Sequence, residues 1–211
     1  VIAFVFILLL TVPVSLLSVR YENRFIDRFF LIFNQITMSI PPFFIGIIFT
    51  VLFGLTFHFF TPGDYISYTE SMSGFIGYLI LPSLAIALPK AAMTIKMFRN
   101  SLITEMHQDY VRTAFSRGNS PWRVLICHAF RNGILPVITF LGVAIADIIA
   151  NSIVIEQVFG IPGMGRTLIS SISKRDYPVV EAIIVLIAVV ILVINMITDL
   201  MYKVLDKRIE I

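Results

Sequence analysis

Five long apolar stretches constrain this chain more than any other feature of its sequence. They lie at about 1–17, 36–60, 75–98, 134–155 and 179–202. Each is near the roughly 20 residues that a helix needs to cross the hydrocarbon core of a bilayer. Only 14% of the residues are charged, against roughly 25% in a soluble domain. The sequence therefore predicts an all-α integral membrane protein with five transmembrane helices in one domain, residues 1–211.

Two further features of the sequence are its first residue and the residues that could bind a metal ion. Val1 is not a methionine and lies inside the first apolar stretch, so we expect the sequence to be part of a longer chain. The single Cys127 excludes an internal disulfide and a cysteine-based metal site. His58, His107 and His128 are too far apart in sequence to show metal-ligand spacing. The sequence predicts no metal site and no cofactor bound by this chain.

Lysine and arginine predict which ends of the spans face the cytoplasm, because they concentrate in cytoplasmic connections. If all five stretches cross, twelve of the sixteen basic residues fall on one side. These twelve are Arg20, Arg24, Arg28, Lys96, Arg99, Arg112, Arg117, Arg123, Arg131, Lys203, Lys207 and Arg208. The other side has Arg166, Lys174 and Arg175, and Lys90 lies within a span. We therefore expect a cytoplasmic C-terminus, a cytoplasmic connection at 99–133 and an outer connection at 61–74.

A glycine-rich segment, VFGIPGMGR at 158–166, follows the fourth apolar stretch. Such segments bind phosphate in some proteins, but this one lacks the Gly-Lys-Ser/Thr ending of a phosphate loop and falls on the predicted outer face. Glycine permits positive φ, and proline fixes a bend. The segment is therefore predicted to fold an outward turn. Its turn residues are Gly160, Pro162, Gly163, Gly165 and Arg166.

The cytoplasmic connection has a helix–glycine–helix pattern over about 101–131. Apolar residues at three- and four-residue spacing predict an amphipathic helix. They are Leu102, Ile103, Met106, Tyr110, Val111, Ala114 and Phe115. Gly118 has the residue type of a helix stop, and Ser120 and Pro121 have those of the N-cap and first position of a second helix. Such an ordered elbow suits either docking to another protein or packing on anionic lipid, and the pattern leaves both open.

The segment DYVRTAFSRGNSPWRVLICHAFRNGILP, residues 109–136, resembles the cytoplasmic EAA loop of ATP-binding-cassette importer permeases. Of the general EAA pattern it keeps only Ala114 and Gly118. Its other residues are similar to the branch that reads D-Y-V-R-T-A, then Gly, then H-x-x-R-N and Pro, which serves dipeptides, oligopeptides and nickel.

Further segments resemble the same branch in the same order along the chain. They are SIPPFFIGIIF at 39–49, VIEQVFGIPGMGRTL at 154–168, RDYPVVEA at 175–182 and NMITDLMYKVLDKRI at 195–209. The resemblance therefore covers essentially the whole chain.

The resemblance implies a B-type importer permease subunit in the plasma or inner membrane of a bacterium or archaeon. The family has a further N-terminal span, so the full protein is expected to have six. The implied partners are a second homologous permease, two ATPases that bind ATP and Mg, and an extracytoplasmic substrate-binding protein. The implied cargo is small peptides, or nickel and metal–chelate complexes. The chain itself would be non-catalytic and bind no nucleic acid.

The resemblance also makes the elbow the part that couples to an ATPase. The residues expected at that contact are Glu105, Asp109, Tyr110, Val111, Arg112, Thr113, Ala114, Arg117 and Gly118.

Charges within the predicted spans are candidates for the translocation path, because ionisable groups at that depth are costly and usually paired or functional. Asp147 lies in the middle of a span and could face the translocation path, contact a cationic group of a substrate or neutralise Lys90. A structural pair or an inward-facing polar position is favoured over direct contact with a substrate. Asn151 lies one turn further on the same face. Asp199 and Lys203 have the i,i+4 spacing of an ion pair at the end of the last span.

Two other classes of protein compete with an importer permease. A self-contained secondary transporter or channel would predict paired broken helices or more intramembrane charges. An intramembrane enzyme would need a serine–histidine, paired-aspartate or histidine-cluster arrangement at membrane depth, and the sequence shows none.

Overall fold

The computed structural model describes residues 1–61 and 63–205, and the regular elements of this part are helices. The α-helices are α1 (Ile2–Arg20), α2 (Phe25–Ser39), α3 (Pro42–Phe49), α4 (Met72–Met106), α5 (Asp109–Ser116), α6 (Pro121–Val124), α7 (Phe130–Gly133), α8 (Leu135–Phe159), α9 (Met164–Lys174) and α10 (Tyr177–Leu205). Two π-helical segments, Thr50–Thr56 and Leu125–Ala129, continue α3 and α6. The Asp199 and Lys203 side chains and the basic tail residues Lys207 and Arg208 lie outside the described part.

Within the described residues, four helices are long and apolar enough to cross a membrane. They are α1, α4, α8 and the Tyr177–Thr198 part of α10. A fifth span arises only if α2 and the α3–π segment are counted as one broken span, because they meet at a bend of 98°. These helices confirm the predicted all-α membrane class. The five predicted spans agree in number with the observed helices only when the bent pair is counted as one span.

The predicted span at 36–60 differs most from the observed helices. A helix already begins at Phe25, breaks at Ile40 and Pro41, and resumes at Pro42. A proline disfavours the helical region for the residue before it, and both Ile40 and Pro41 are extended, with ψ of 124° and 144°. The two consecutive prolines therefore divide what the apolar composition alone presents as one span.

Helix α4 is longer than the apolar stretch that predicts it. It runs for 35 residues, with Pro82 and Pro89 inside it, and ends at Met106 rather than near 98. Gln108 is extended, with ψ of 153°, and α5 starts at Asp109. The single amphipathic helix expected for the first arm of the elbow is therefore divided between α4 and α5.

The core of the bundle forms around α4. Small residues on α4, including Ala85, Ala87 and Ala91, are buried in the same apolar cluster as Ala3 and Ile7 of α1. Helices α2, α3 and α8 also contact α4. In contrast, no residue is buried in the most apolar stretch of the described part of α10. An exposed apolar surface of this size suits contact with lipid or another membrane subunit.

The two ends of α4 contact different connecting segments of the chain. Near its C-terminal end, Arg99 binds Asp27 of α2, and Ser101 donates to the carbonyl of Gly133 at 2.8 Å. Near its N-terminal end, Tyr78 donates to the carbonyl of Phe159, the residue that precedes the glycine-rich turn. The basic connections and the glycine-rich segment therefore lie at opposite ends of the bundle.

Candidate functional site

The elbow turns at Gly118, directly after α5. Gly118 has a φ of +79°, and its N–H donates to the carbonyl of Phe115 at 2.9 Å. The Asn119 side chain donates to the carbonyl of Ala114, also at 2.9 Å. These bonds satisfy carbonyls that the end of a helix leaves without partners. The chain can turn this sharply because glycine adopts positive φ without steric cost.

The second arm of the elbow begins with an N-cap. The Ser120 hydroxyl accepts from the backbone N–H of Arg123 at 3.4 Å, and Pro121 occupies the first turn of α6. Both residue types are favoured at these positions. The helical path continues through the π segment Leu125–Ala129 into α7, where Phe130 packs against Phe98 of α4 with ring centroids 5.5 Å apart.

A small core of its own holds the elbow together. Val111 and Ala114 of α5 pack with Val124 of α6, and all three are buried. Met106, at the end of α4, packs against this cluster. Because the two arms share an apolar contact as well as the turn, the angle between them is fixed by packing.

The predicted apolar face of α5 is only partly correct. The spacing predicts that Tyr110 and Phe115 lie on this face, but they are 38% and 40% exposed. Tyr110 instead donates to Glu105 and accepts from the Asn132 side chain at 3.3 Å, so it joins α4, α5 and α7. Burial and then the hydrogen bond to Glu105 raise the pKa of the Tyr110 phenol above its ordinary value.

The structure separates the expected ATPase-contact residues into an inner and an outer group. Val111 and Ala114 are inside the elbow, and Tyr110 and Glu105 tie it to its neighbours. Besides Tyr110, which is also exposed, the exposed residues of the set are Asp109, Arg112, Thr113, Arg117 and Gly118. Asp109 and Arg112 form an ion pair at 3.6 Å with largely exposed side chains, so both remain available to charges outside the chain.

Lys90 and Asp147 meet between α4 and α8. The Lys90 ammonium donates to Oδ2 of Asp147, as the favoured interpretation expects. Asn151, one turn along α8, donates to the backbone carbonyl of Asp147 at 2.8 Å and not to its carboxylate. Asp147 keeps 45% of its side chain exposed, while Lys90 keeps 20%.

A second ion pair, between Arg99 and Asp27, was missed by reasoning from the sequence. Arg99 holds both carboxylate oxygens of Asp27, with Nε and Nη2 each at 2.7 Å. Ser18 and the backbone N–H of Asn23 also donate to this carboxylate. The cluster joins α1, α2 and α4, but Asp27 and Arg99 are 72 residues apart, and an aspartate in a mixed polar and apolar segment gives no local signal of a partner.

The glycine-rich segment forms a tight connection from α8 to α9. Gly160 ends α8 with a φ of +68°, and Arg166 donates to its carbonyl at 2.9 Å. The Glu156 carboxylate accepts from the backbone N–H of Gly165 at 2.7 Å and from that of Arg166 at 3.1 Å. A carboxylate at this place stabilises the N-terminus of α9. A Cβ at position 163 would overlap this carboxylate, so the glycine leaves the space that the Glu156 side chain occupies.

The sequence comparisons place the chain in a family of membrane transport components. Residues 3–211 match the family model described as "Binding-protein-dependent transport system inner membrane component". The chain belongs to this family, and it is a multi-pass inner-membrane protein by this membership and by its apolar helices.

Three curated relatives are named as peptide permeases. The probable peptide ABC transporter permease protein y4tP of Sinorhizobium fredii is 34% identical over 206 residues, which are 97% of this chain and 66% of that protein. The oligopeptide transport system permease protein AppB of Bacillus subtilis is 35% identical, over 96% of this chain and 65% of that protein. The dipeptide transport system permease protein DppB of Bacillus subtilis is 34% identical, over 90% and 59%. The chain thus spans less than two thirds of the length of these relatives.

Proposed function

We propose that this chain is the membrane-spanning permease part of an ATP-driven importer of small peptides. The family match supports the transport class, and the printed names of the three relatives favour peptides over nickel or metal–chelate complexes. In this proposal residues 1–211 act as one permease domain and carry out no catalysis. Two ATPase subunits bind ATP and Mg, a second permease completes the pore, and an extracytoplasmic binding protein delivers the peptide.

The elbow is the part of the chain that we assign to ATPase contact. The observation that carries this assignment is that it has its own packed core and an exposed polar outer face at the end of α4. An ordered elbow loses more conformational entropy than a disordered loop, and a partner that seats on its fixed shape accounts for that order. The basic residues that share the elbow's side support a cytoplasmic orientation of the elbow and of the C-terminus in this proposal.

The connections between the elbow and α4 suggest how movement is transmitted. Ser101 and Phe98 of α4 contact Gly133 and Phe130 on the second arm. A Cβ on Gly133 would lie 2.9 Å from Leu102, so the two segments are closely packed there. ATP-driven closure of the ATPases would therefore shift α4 and α8 together with the elbow, and the bundle would change between outward-open and inward-open states.

A purification and an uptake assay test this proposal. The full-length tagged protein is purified from native membranes in mild detergent, and the retained chains are identified by mass spectrometry. We expect a second membrane permease and ATPases, and ATP-dependent uptake of a labelled tripeptide after reconstitution with the binding protein. Recovery of this chain alone, also after cross-linking, together with uptake that needs no ATP, would instead favour a self-contained secondary transporter.

A further inference from the structure

The Lys90–Asp147 pair lies near the middle of its two helices. Asp147 is the central residue of α8 (Leu135–Phe159), and Lys90 is next to the centre of α4 (Met72–Met106). Ionisable side chains at such depth face a protein interior or a water-filled cavity, because exposure to lipid is costly. The Asp147 side chain is nevertheless 45% exposed on this chain. Its open side therefore faces something other than hydrocarbon in the assembled protein.

The Arg99–Asp27 pair shows what a closed structural ion pair looks like in the same chain. The Asp27 side chain is 2% exposed, and its carboxylate accepts hydrogen bonds from Arg99, Ser18 and the backbone of Asn23. Both of its oxygens are therefore saturated. A carboxylate in this state has no capacity left to bind a ligand.

Asp147 and Lys90 retain binding capacity that Asp27 lacks. Among the described residues, the Asp147 carboxylate accepts only from Lys90, through Oδ2, which leaves Oδ1 without a donor. The Lys90 ammonium has three donors and makes this one contact in the described part of the chain. The Asp147 carboxylate and the Lys90 ammonium thus lie side by side, and each has hydrogen-bonding positions that are not used within the described part of the chain.

We propose that Lys90 and Asp147 form a mid-membrane subsite for the charged termini of a zwitterionic peptide. The carboxylate of Asp147 accepts from the peptide's amino terminus, and Lys90 donates to its carboxyl terminus. Each charge of the peptide then replaces part of its lost hydration by a charge-assisted hydrogen bond. Between passages the two side chains neutralise each other, which removes the cost of an unpaired charge at this depth. This inference rests on the function proposed above.

The test compares three tripeptides in the reconstituted importer, with its partner subunits and binding protein present. Ala-Ala-Ala is compared with its N-acetylated and its C-amidated forms. We expect Asp147→Asn to slow ATP-driven uptake of the free and C-amidated peptides about tenfold, a factor typical of one hydrogen bond to a charged group, and to spare the N-acetylated peptide. Lys90→Gln should slow the free and N-acetylated peptides and spare the C-amidated one. Equal effects on all three peptides, or none, would overturn the proposal.

Two further variants separate binding from assembly. Thr94→Val removes a hydroxyl that donates to the Lys90 backbone carbonyl at 2.7 Å and leaves both charges in place, so uptake of all three peptides should match wild type. The double variant Lys90→Met with Asp147→Leu has no unpaired charge and should assemble, but it should take up free and blocked peptides at equal rates. If it fails to co-purify with the partner subunits, or keeps the wild-type preference, the subsite is rejected. Absence of ATP-driven peptide uptake in the wild type would instead refute the proposed function.

Discussion

At the scale of single residues, Gly118 sets the direction of the elbow. Its φ of +79° lies where an L-residue pays a steric penalty of about 1–2 kcal/mol. A Cβ at this position would meet nothing within 4 Å, so backbone strain is the only cost there. We expect Gly118→Val to insert and co-purify with its partners but to lose ATP-driven peptide uptake while ATP hydrolysis continues. The two rates are measured on the same proteoliposomes.

Asparagine at the same position provides the matched control. Asparagine tolerates the left-handed conformation better than other non-glycine residues, and its side chain enters the same open space. Gly118→Asn should therefore retain uptake within about twofold of wild type, on that conformational argument. Normal uptake in Gly118→Val would show that the elbow needs no left-handed residue for coupling.

Asp27 carries a prediction about stability. Asp27→Asn leaves the buried Arg99 guanidinium without its anionic partner, and breaking a buried pair costs about 3–5 kcal/mol. The midpoint of thermal unfolding in detergent should fall accordingly. Asp109→Asn removes one half of the exposed pair with Arg112, and exposed pairs contribute little, so it should leave the midpoint unchanged. Equal midpoints for the two variants would mean that the Asp27 cluster does not hold α2 to α1 and α4.

At the scale of elements, the turn between α8 and α9 depends on close approach. A Cβ on Gly165 would overlap the backbone of Ile153 on α8, so Gly165→Ala must push the two helices apart. Overpacking of this kind costs about 1–3 kcal/mol. Gly77→Ala on α4 meets nothing within 4 Å and should stabilise the helix by about 0.5–1 kcal/mol. Thermal unfolding of both variants would show shifts of opposite sign, and a stabilised Gly165→Ala would contradict the packing argument.

The sequence predicts these elements well where local chemistry decides them. The long spans are evident from apolar length, and the Gly118 turn and the Ser120 cap follow from residue type. The break between α4 and α5 has no glycine or proline to mark it. The helical spacing of apolar residues continues past Gln108, so the sequence predicts one helix there. The α2–α3 break has its two prolines, but they lie in an apolar run whose length alone fits one span.

An ion pair could be predicted from the sequence only where the charged residues lie within apolar spans. Lys90 and Asp147 stand out because few charges occur within the apolar spans, which restricts each to few partners. Asp27 and Arg99 lie in mixed segments with several charged residues nearby, so the sequence offers no means of choosing between pairings. Their contact depends on how α2 folds back against α4, which is a tertiary property.

At the scale of the whole molecule, the predicted orientation in the membrane can be tested by labelling a single residue. Cys127 is the only cysteine of the chain, is exposed, and lies on the second arm of the elbow. We expect a membrane-impermeant maleimide to label it only after cells are permeabilised. In a Cys127→Ser background, Glu70→Cys on the opposite connection should be labelled in intact cells, since Glu70 is exposed at the other end of α4.

The two labelling patterns bear directly on the mechanism. Arg99 and the elbow lie at the same end of α4, so the side on which Cys127 reacts is also the side on which most basic residues of the connections lie. ATP is available only in the cytoplasm, so an elbow that reacts in intact cells could not seat on an ATPase. That outcome would remove the coupling role and leave the elbow as an outer surface, whereas protection of Cys127 with reaction at Glu70→Cys would place the elbow where an ATPase can reach it.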